Sequence, residues 1–385
     1  MRSLAVCMRW YALAVVIFVF SVKATSEHIY KWAVIGFGPA GMITAGLLLD
    51  LGVAEKDIIA IDPEFNVGRL GEYYSSVPSN TKTKLFIDFI KACKVFQECN
   101  SEAIEKLYTY DMEVEYPLQI IVDPLKDITA HLRTKIDSLQ DSIQSLYFDV
   151  DAWHITTASN SHLIAENVVL AIGSHPRCLN YDCTDHIPLD VALNKDLLSQ
   201  AVGEKDSVAV IGGAHSAVLI MKFLSELKVK RVINFYQNPL QYVVDGMLSI
   251  NGLKGVAAQW AKEVLEKNPP VNMIRVYNNQ EGRDAWLDAC NKIIYAIGYE
   301  RNEAPTINGN NVELSYDGHS GVIAPRLFGI GIAFPEQYAS DGGAIEHKIG
   351  LNSFMSYAQR VIPEWLAKDR SRFFSFDQLF TINMM

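Results

Sequence analysis

Two stretches of this chain repeat one local order: a short apolar run, a glycine-bearing turn, then an apolar helical pattern. That repetition limits the fold more than any bulk property. After Lys31, Trp32-Ala33-Val34-Ile35 has the pattern of a buried parallel strand, Gly36-Phe37-Gly38-Pro39-Ala40-Gly41 is a G-x-G-x-x-G turn, and a helical pattern runs on to Asp50. Gly36 permits the tight turn, Gly38 lets the backbone approach a pyrophosphate, and Gly41 allows close helix-strand packing. Phosphates would sit on the amides at the helix N-terminus. A second strand, Ile58-Ile59-Ala60-Ile61, ends at Asp62, twenty-one residues after Gly41, where a carboxylate can accept hydrogen bonds from ribose hydroxyls.

From Ser207 the order recurs, with Val208-Ala209-Val210-Ile211 as the strand and Gly212-Gly213-Ala214-His215-Ser216-Ala217 as the turn. Ala214 stands where the second glycine belongs, and its methyl crowds the approach to a pyrophosphate unless Gly213 compensates. Ala217 is an accepted variant of the third. The next strand, Arg231 to Phe235, leads into Tyr236-Gln237-Asn238, with neither a carboxylate for a ribose hydroxyl nor an Arg for a 2′-phosphate. NADH and NADPH both stay open, as does a retained domain that no longer binds nicotinamide.

The chain has 385 residues, 49% hydrophobic and 20% charged, enough for two cores of ordinary size. A net charge of -10 argues against a nucleic-acid surface. Arg2 and Arg9 precede an apolar run from Trp10 to Val22, and small residues follow, so residues 1–24 are expected to be a signal peptide. The alternative is an uncleaved anchor, but thirteen apolar residues fall short of the ~20 that span a bilayer. The expected destination is the secretory pathway or export, in an endoplasmic-reticulum lumen or a periplasm. Without its leader the chain keeps Cys93, Cys99, Cys178, Cys183 and Cys290, with no Cys-x-x-Cys. Cys178 and Cys183 are either a bridge or idle thiols. No metal-ligand constellation stands out.

Asn167-Val168-Val169-Leu170-Ala171-Ile172-Gly173, after short alternating runs that suggest a β-meander, resembles a strand of the pyridine nucleotide-disulfide reductase and flavin monooxygenase families, with Ile172 in place of Thr. Lys292 to Tyr299, with Ala296-Ile297-Gly298-Tyr299, resembles the Ala-Thr-Gly-Tyr that closes the nicotinamide domain in flavin monooxygenases and N-hydroxylating relatives. Pro325 to Ala333, with Gly329 and Gly331, resembles the returning strand that passes the flavin, and Gly350-Leu351-Asn352 the start of the closing helix. The resemblance spans about residues 29 to 366. It implies FAD at the first turn, NADPH or NADH at the second, and hydride transfer between them. The implied fold is α/β, with two Rossmann-like doubly wound domains, the nicotinamide domain (181–298) being inserted in a discontinuous FAD domain (27–180 and 299–385). Crossings are expected near Asn180 and Tyr299, with the active site in the cleft between domains.

Gly68-Arg69-Leu70-Gly71 through Ser79-Asn80-Thr81 to Lys84 resembles the monooxygenase segment in which glycines near the flavin ring precede a Ser-Asn-Thr. Asn80 is therefore the candidate catalytic residue, its amide a donor to an oxygen that develops negative charge. Helix capping by Ser79, Asn80 and Thr81 is the competing or coexisting use. The Phe-x-Gly-x-x-x-His signature of flavin monooxygenases is absent, and His186-Ile187-Pro188-Leu189 stands near its place. His175, His215 and His347 are further candidates, and Lys82 and Lys84 are expected to be solvated. Three functions remain: a monooxygenase-like oxidoreductase acting on a small molecule, a reductase or oxidase with another acceptor, and a non-catalytic flavin-binding protein.

Overall fold

The structure, a computed structural model, describes residues 28–179, 181, 185–243, 252–311, 313–339, 343 and 345–370. The expected leader, Asn180 and Cys183 lie outside the described residues.

The first unit opens with β1 (Ile29–Ile35), buried from Trp32 onward, which enters α1 (Pro39–Asp50) through the first glycine turn. α1 is buried from Ala40 to Leu48, as suits a helix covered on all sides. β2 (Ile58–Ile61) pairs parallel with β1. The helices α2 (Gly68–Tyr73), α3 (Thr83–Lys91), α4 (Lys94–Gln97), α5 (Glu102–Leu107) and α6 (Gln119–Lys135) follow. In α3, Phe86, Ile87, Phe89 and Ile90 recur at helical spacing and enter one core with α1 and α6. β3 (Asp137–Leu139) extends the sheet beside β2. The meander forms as β4 (Ile143–Asp149), β5 (Ala152–Thr157) and β6 (His162–Leu170), and β6 pairs parallel with β1. Leu146, Trp153 and Ile155 of the meander share a second core with Ala33, Ile35, Ile59 and Ile61.

β7 (Ser174–Pro176) carries the chain across. The second unit contains β8 (Asp185–His186), α7 (Leu189–Ala192), α8 (Lys195–Ala201), β9 (Ser207–Ile211), α9 (His215–Glu226), β10 (Arg231–Tyr236), α10 (Gly255–Trp260), β11 (Met273–Tyr277), α11 (Gln280–Trp286) and β12 (Lys292–Tyr295). Its sheet, ordered β11-β10-β9-β12-β8, is parallel throughout. Val208 and Val210 face α9, while Ala209 and Ile211 share the opposite core with Phe235 and Cys290. Burial on both faces is why β9 reads as an unbroken apolar run.

β13 (Tyr299–Arg301) pairs antiparallel with β7, so the two crossings run side by side. β14 (Thr306–Ile307) joins β4, β15 (Val322–Ala324) pairs with β16 (Leu327–Gly329), and β16 lies parallel to β6. The hairpin β17 (Glu336–Ala339) and β18 (Ile345–Lys348) precedes α12 (Leu351–Arg370), whose Tyr357, Val361 and Trp365 reach the α1 core. The fold is the expected one, a second Rossmann-like unit inserted in the first. The returning strand is shorter than its apolar run: only Leu327–Gly329 is strand, and Gly331–Ala333 is a 3-10 turn. The chain turns there to lay the Phe334 ring where a β-carbon on Gly329 would stand, 2.4 Å away.

A β-carbon on Gly41 would lie 2.0 Å from the Gly36 oxygen, whereas one on Gly52 meets nothing within 4 Å. In urea titrations, Gly41→Ala should lower stability by at least about 2 kcal/mol. Gly52→Ala, strained only by its positive φ of 87°, should lower it by about 1 kcal/mol.

Candidate functional site

At the first turn the Gly36 N–H donates to the Ile61 carbonyl and the Ala171 N–H to the Ile35 carbonyl, each at 2.8 Å. The ends of β1, β2 and β6 thus meet at one edge. Gly36 has φ +88°, and a β-carbon on it would lie 2.4 Å from the Ala171 oxygen. Protein backbone therefore accounts for both Gly36 and Gly41. Gly38 differs, since a β-carbon there meets no atom nearer than 3.8 Å. Its bareness leaves half-buried backbone uncovered by any side chain at the head of α1, where Pro39 occupies a position that needs no amide. Gly331 lies against Ala40, 2.5 Å from a notional β-carbon, which brings the returning chain onto the turn. Gly71 packs on the Asn66 carbonyl, and Gly173 lies beside Asn302, whose Nδ2 donates to the Ile172 carbonyl at 2.8 Å.

Asp62, 8% exposed, is already engaged. Its Oδ2 accepts from the Phe37 N–H at 2.6 Å, and Oδ1 accepts from the Glu64 and Phe65 N–H groups at 2.9 and 2.6 Å. The carboxylate clamps the glycine turn to the end of β2, a role the spacing alone does not reveal. Its two oxygens offer about four acceptor positions, so a ribose hydroxyl can take the remaining one.

The second turn repeats the geometry. The Gly212 N–H donates to the Phe235 carbonyl at 2.8 Å, and a β-carbon on Gly212 would lie 2.2 Å from the Ala296 oxygen. Gly213 abuts Tyr236, Ala214 is exposed at the head of α9, Ser216 is half-buried in its first turn, and Ala217 is buried. Gly298 has open space around it. Burial, then the positive charge of Lys254, lowers the pKa of His215, so its ring is neutral at neutral pH. Among the described residues the buried His215 Nδ1 has no hydrogen-bond partner, which leaves a polar atom for a ligand to satisfy. Both turns fit a dinucleotide, the first by its open Gly38 and the second by this orphaned nitrogen.

Two residues of the second site escaped sequence reasoning. Buried Asn234 donates through Nδ2 to the Val210 and Gly212 carbonyls at 3.1 and 2.6 Å and so supports the turn. Arg275, opposite it on β11, donates from Nε to Asn234 Oδ1 at 3.1 Å and lies 4.5 Å over the Tyr236 ring. Its Nη2 is buried without a partner among the described residues. Only the register of β10 with β11 signals the pair.

Asn80 is exposed on a segment bonded to the stretch before α6, with the Ser79 N–H donating to the Tyr116 carbonyl and the Thr83 N–H to the Val114 carbonyl, each at 3.1 Å. Capping is not its use: α3 has Lys82 as N-cap and no side-chain cap, and Ser79 Oγ instead accepts from the Thr81 N–H. The segment and the stretch it bonds to dock on the second unit, since Val77 of the segment belongs to the α9 core and Glu115 of the stretch before α6 occupies the place a β-carbon on Gly255 would take, 2.1 Å away. Burial raises the Glu115 pKa against the pull of Lys82 and Lys254. Lys254 also acts on His215, so the Asn80 segment and the second turn share one electrostatic neighbourhood. Lys82 pairs with Glu113 at 2.8 Å, His175 with Glu300 and Asn302, and His347 with Gln337. Neither His175 nor His347 is brought to a glycine turn by these bonds.

Asp62→Ala strips an acceptor from three backbone amides and should destabilise the first unit by about 3 kcal/mol. Purified protein should show reduced visible flavin absorbance per chain, with Asp62→Asn intermediate.

The chain is 29% identical over 383 residues to the monooxygenase AgnR1 of Paecilomyces divaricatus, covering 87% of this chain and 97% of that one. Its fold is similar to the flavin-containing monooxygenase of Stenotrophomonas maltophilia, with TM-score 0.59 at 15% identity over 88% of this chain and 98% of that one. It is also similar to the thioredoxin reductase of Lactococcus lactis, with TM-score 0.55 at 11% identity over 88% and 99%. The family model described as pyridine nucleotide-disulphide oxidoreductase matches residues 30–324. The chain belongs to that family, and with it to the FAD-dependent oxidoreductases.

Proposed function

We propose that this chain uses NADPH to reduce bound FAD and passes the electrons to oxygen, placing one oxygen atom on a small molecule and releasing the other as water. The observation that carries this reading is the docking of the Asn80 segment on the unit that holds the second glycine turn. The similarity to a monooxygenase over 97% of that protein's length supports it. Bound FAD would accept the hydride and hand electrons to oxygen. The chain's own contributions are positional and electrostatic. Gly38 and the α1 amides hold the pyrophosphate, Asp62 the ribose, and His215 the second dinucleotide. Asn80, exposed and free of a capping duty, donates its amide to the oxygen that gains negative charge. The missing Phe-x-Gly-x-x-x-His favours a second reading, in which the reduced flavin serves another acceptor. The leader at residues 1–24 would direct this activity into the secretory pathway.

Anaerobic addition of NADPH should bleach the flavin, and oxygen readmitted with a panel of amines and sulfides present should restore its colour with formation of an oxygenated product. Recovery of only hydrogen peroxide or a reduced acceptor would favour the second reading, and a flavin that stays oxidised would overturn both. Asn80→Ala should bleach at the wild-type rate yet lose about 100-fold in oxygenation.

Arg275 supplies the cation that the β10 end lacks, and we infer that it takes the 2′-phosphate. Arg275→Gln should raise the Kd for NADPH about tenfold and leave that for NADH unchanged, as read by equilibrium titration. Equal losses for both nucleotides would make Arg275 a structural residue only.

A further inference from the structure

Hydride transfer between two cofactors held by two units depends on how those units are turned towards each other. Among the described residues several contacts join them, the Glu115–Gly255 packing described above and the following three kinds among them. The crossings β7 and β13 form a ribbon of three residue pairs, Tyr299 with Pro176, Glu300 with His175 and Arg301 with Ser174. So short a ribbon resists twisting weakly. Val77, Tyr74 and Leu118 of the first unit pack on the apolar core of the second. Apolar contact is non-directional, so it favours closeness without choosing an angle.

The third contact is directional. Asp190 in α7 of the second unit pairs through Oδ2 with Arg69 Nη2 of α2, and its Oδ1 accepts from the Tyr74 hydroxyl at 2.5 Å. The Tyr299 hydroxyl on the returning crossing donates to the Tyr74 oxygen at 3.0 Å. The Arg69 and Asp190 side chains are 29% and 16% exposed, so the pair is largely shielded from water. Burial raises the pKa of both tyrosines, with Tyr299 and Asp190 adding to the shift at Tyr74, so both hydroxyls stay protonated and remain donors. α2 begins at Gly68, whose Cα is the nearest atom to a notional β-carbon on Gly38. Both oxygens of one carboxylate in the nicotinamide unit are therefore held by the helix that backs the FAD turn and the residue that ends it.

We propose that Asp190 is a positioning residue: it sets the rotation of the nicotinamide unit about the paired crossings, and with it the geometry of hydride transfer. This rests on the two-cofactor reading above. The test uses the full FAD-loaded chain as wild type, Asp190→Asn and Asp190→Ala. Spin labels at Ser159→Cys and Lys267→Cys, exposed positions on the two units, report their separation once Cys7, Cys178 and Cys183 are serine. Stopped-flow bleaching and equilibrium titration report transfer and binding. In Asp190→Ala the label distances should shift or broaden, and the limiting bleaching rate should fall about 10- to 100-fold. Nucleotide Kd should move less than about threefold, since no contact to the nucleotide is removed, FAD content should hold, and Asp190→Asn should fall between. Wild-type distances, or altered distances with a wild-type rate, would overturn the proposal. If NADPH and NADH both fail to bleach the wild type, the two-cofactor reading falls instead, and the label distances alone decide whether Asp190 sets the rotation.

Discussion

Where β1 ends, the backbone of Gly36 passes so close to the Ala171 carbonyl that a side chain on the glycine has nowhere to go. The bond from the Ala171 N–H back to Ile35 fixes the same two strands from the other direction, and the Ile330 N–H donates to Leu170 at 3.1 Å to bring the returning chain to that edge. The second unit makes the same contact between Gly212 and Ala296. The repeated Ala-Ile-Gly of residues 171–173 and 296–298 thereby acquires a physical meaning. In each, the alanine carbonyl faces the first glycine of the turn, and the chain then leaves the sheet through the following glycine. Once these contacts are satisfied, the first turn is left with open backbone at Gly38 and the second with a buried His215 Nδ1 that has no partner among the described residues.

Much of this was legible in the sequence because it is local. A strand, a glycine turn and a helix occupy about twenty consecutive residues, and parallel strands buried on both faces leave apolar runs that need no knowledge of neighbours. The β-meander was legible for the same reason. Illegible features depend on partners far apart in the chain. The spacing of Asp62 points to a ribose but not to the three amides it also binds, one of them from the glycine turn twenty-five residues earlier. Arg275 could not be connected with Tyr236 without the pairing of β10 and β11. Arg69 and Asp190, 121 residues apart, carry no mutual signal at all. Asn80 lies between these cases: its segment was recognisable by resemblance, but its freedom from a capping role required the start of α3 at Thr83.

The two turns are not equivalent. The first presents open glycine backbone on an apolar, deeply buried helix, and its aspartate rigidifies it before any ligand arrives. The second presents an exposed alanine at the same place and relies on a buried asparagine beneath the turn. A rigid, open cradle suits a cofactor that stays bound through many turnovers. A crowded entrance suits a nucleotide that exchanges in each cycle.

The pairing of β7 with β13 also bears on how such a chain assembles. The first unit is incomplete until β16 lies beside β6, and these strands are separated by roughly 150 residues, most of them the insert. Once the insert has folded and its ends are zipped together, the loop left to close is roughly 30 residues, a saving in closure entropy of about 1.5 kcal/mol. An insert that joins its own ends behaves as a short turn in the host sheet, so the inserted unit is expected to fold early and the first unit to close around it.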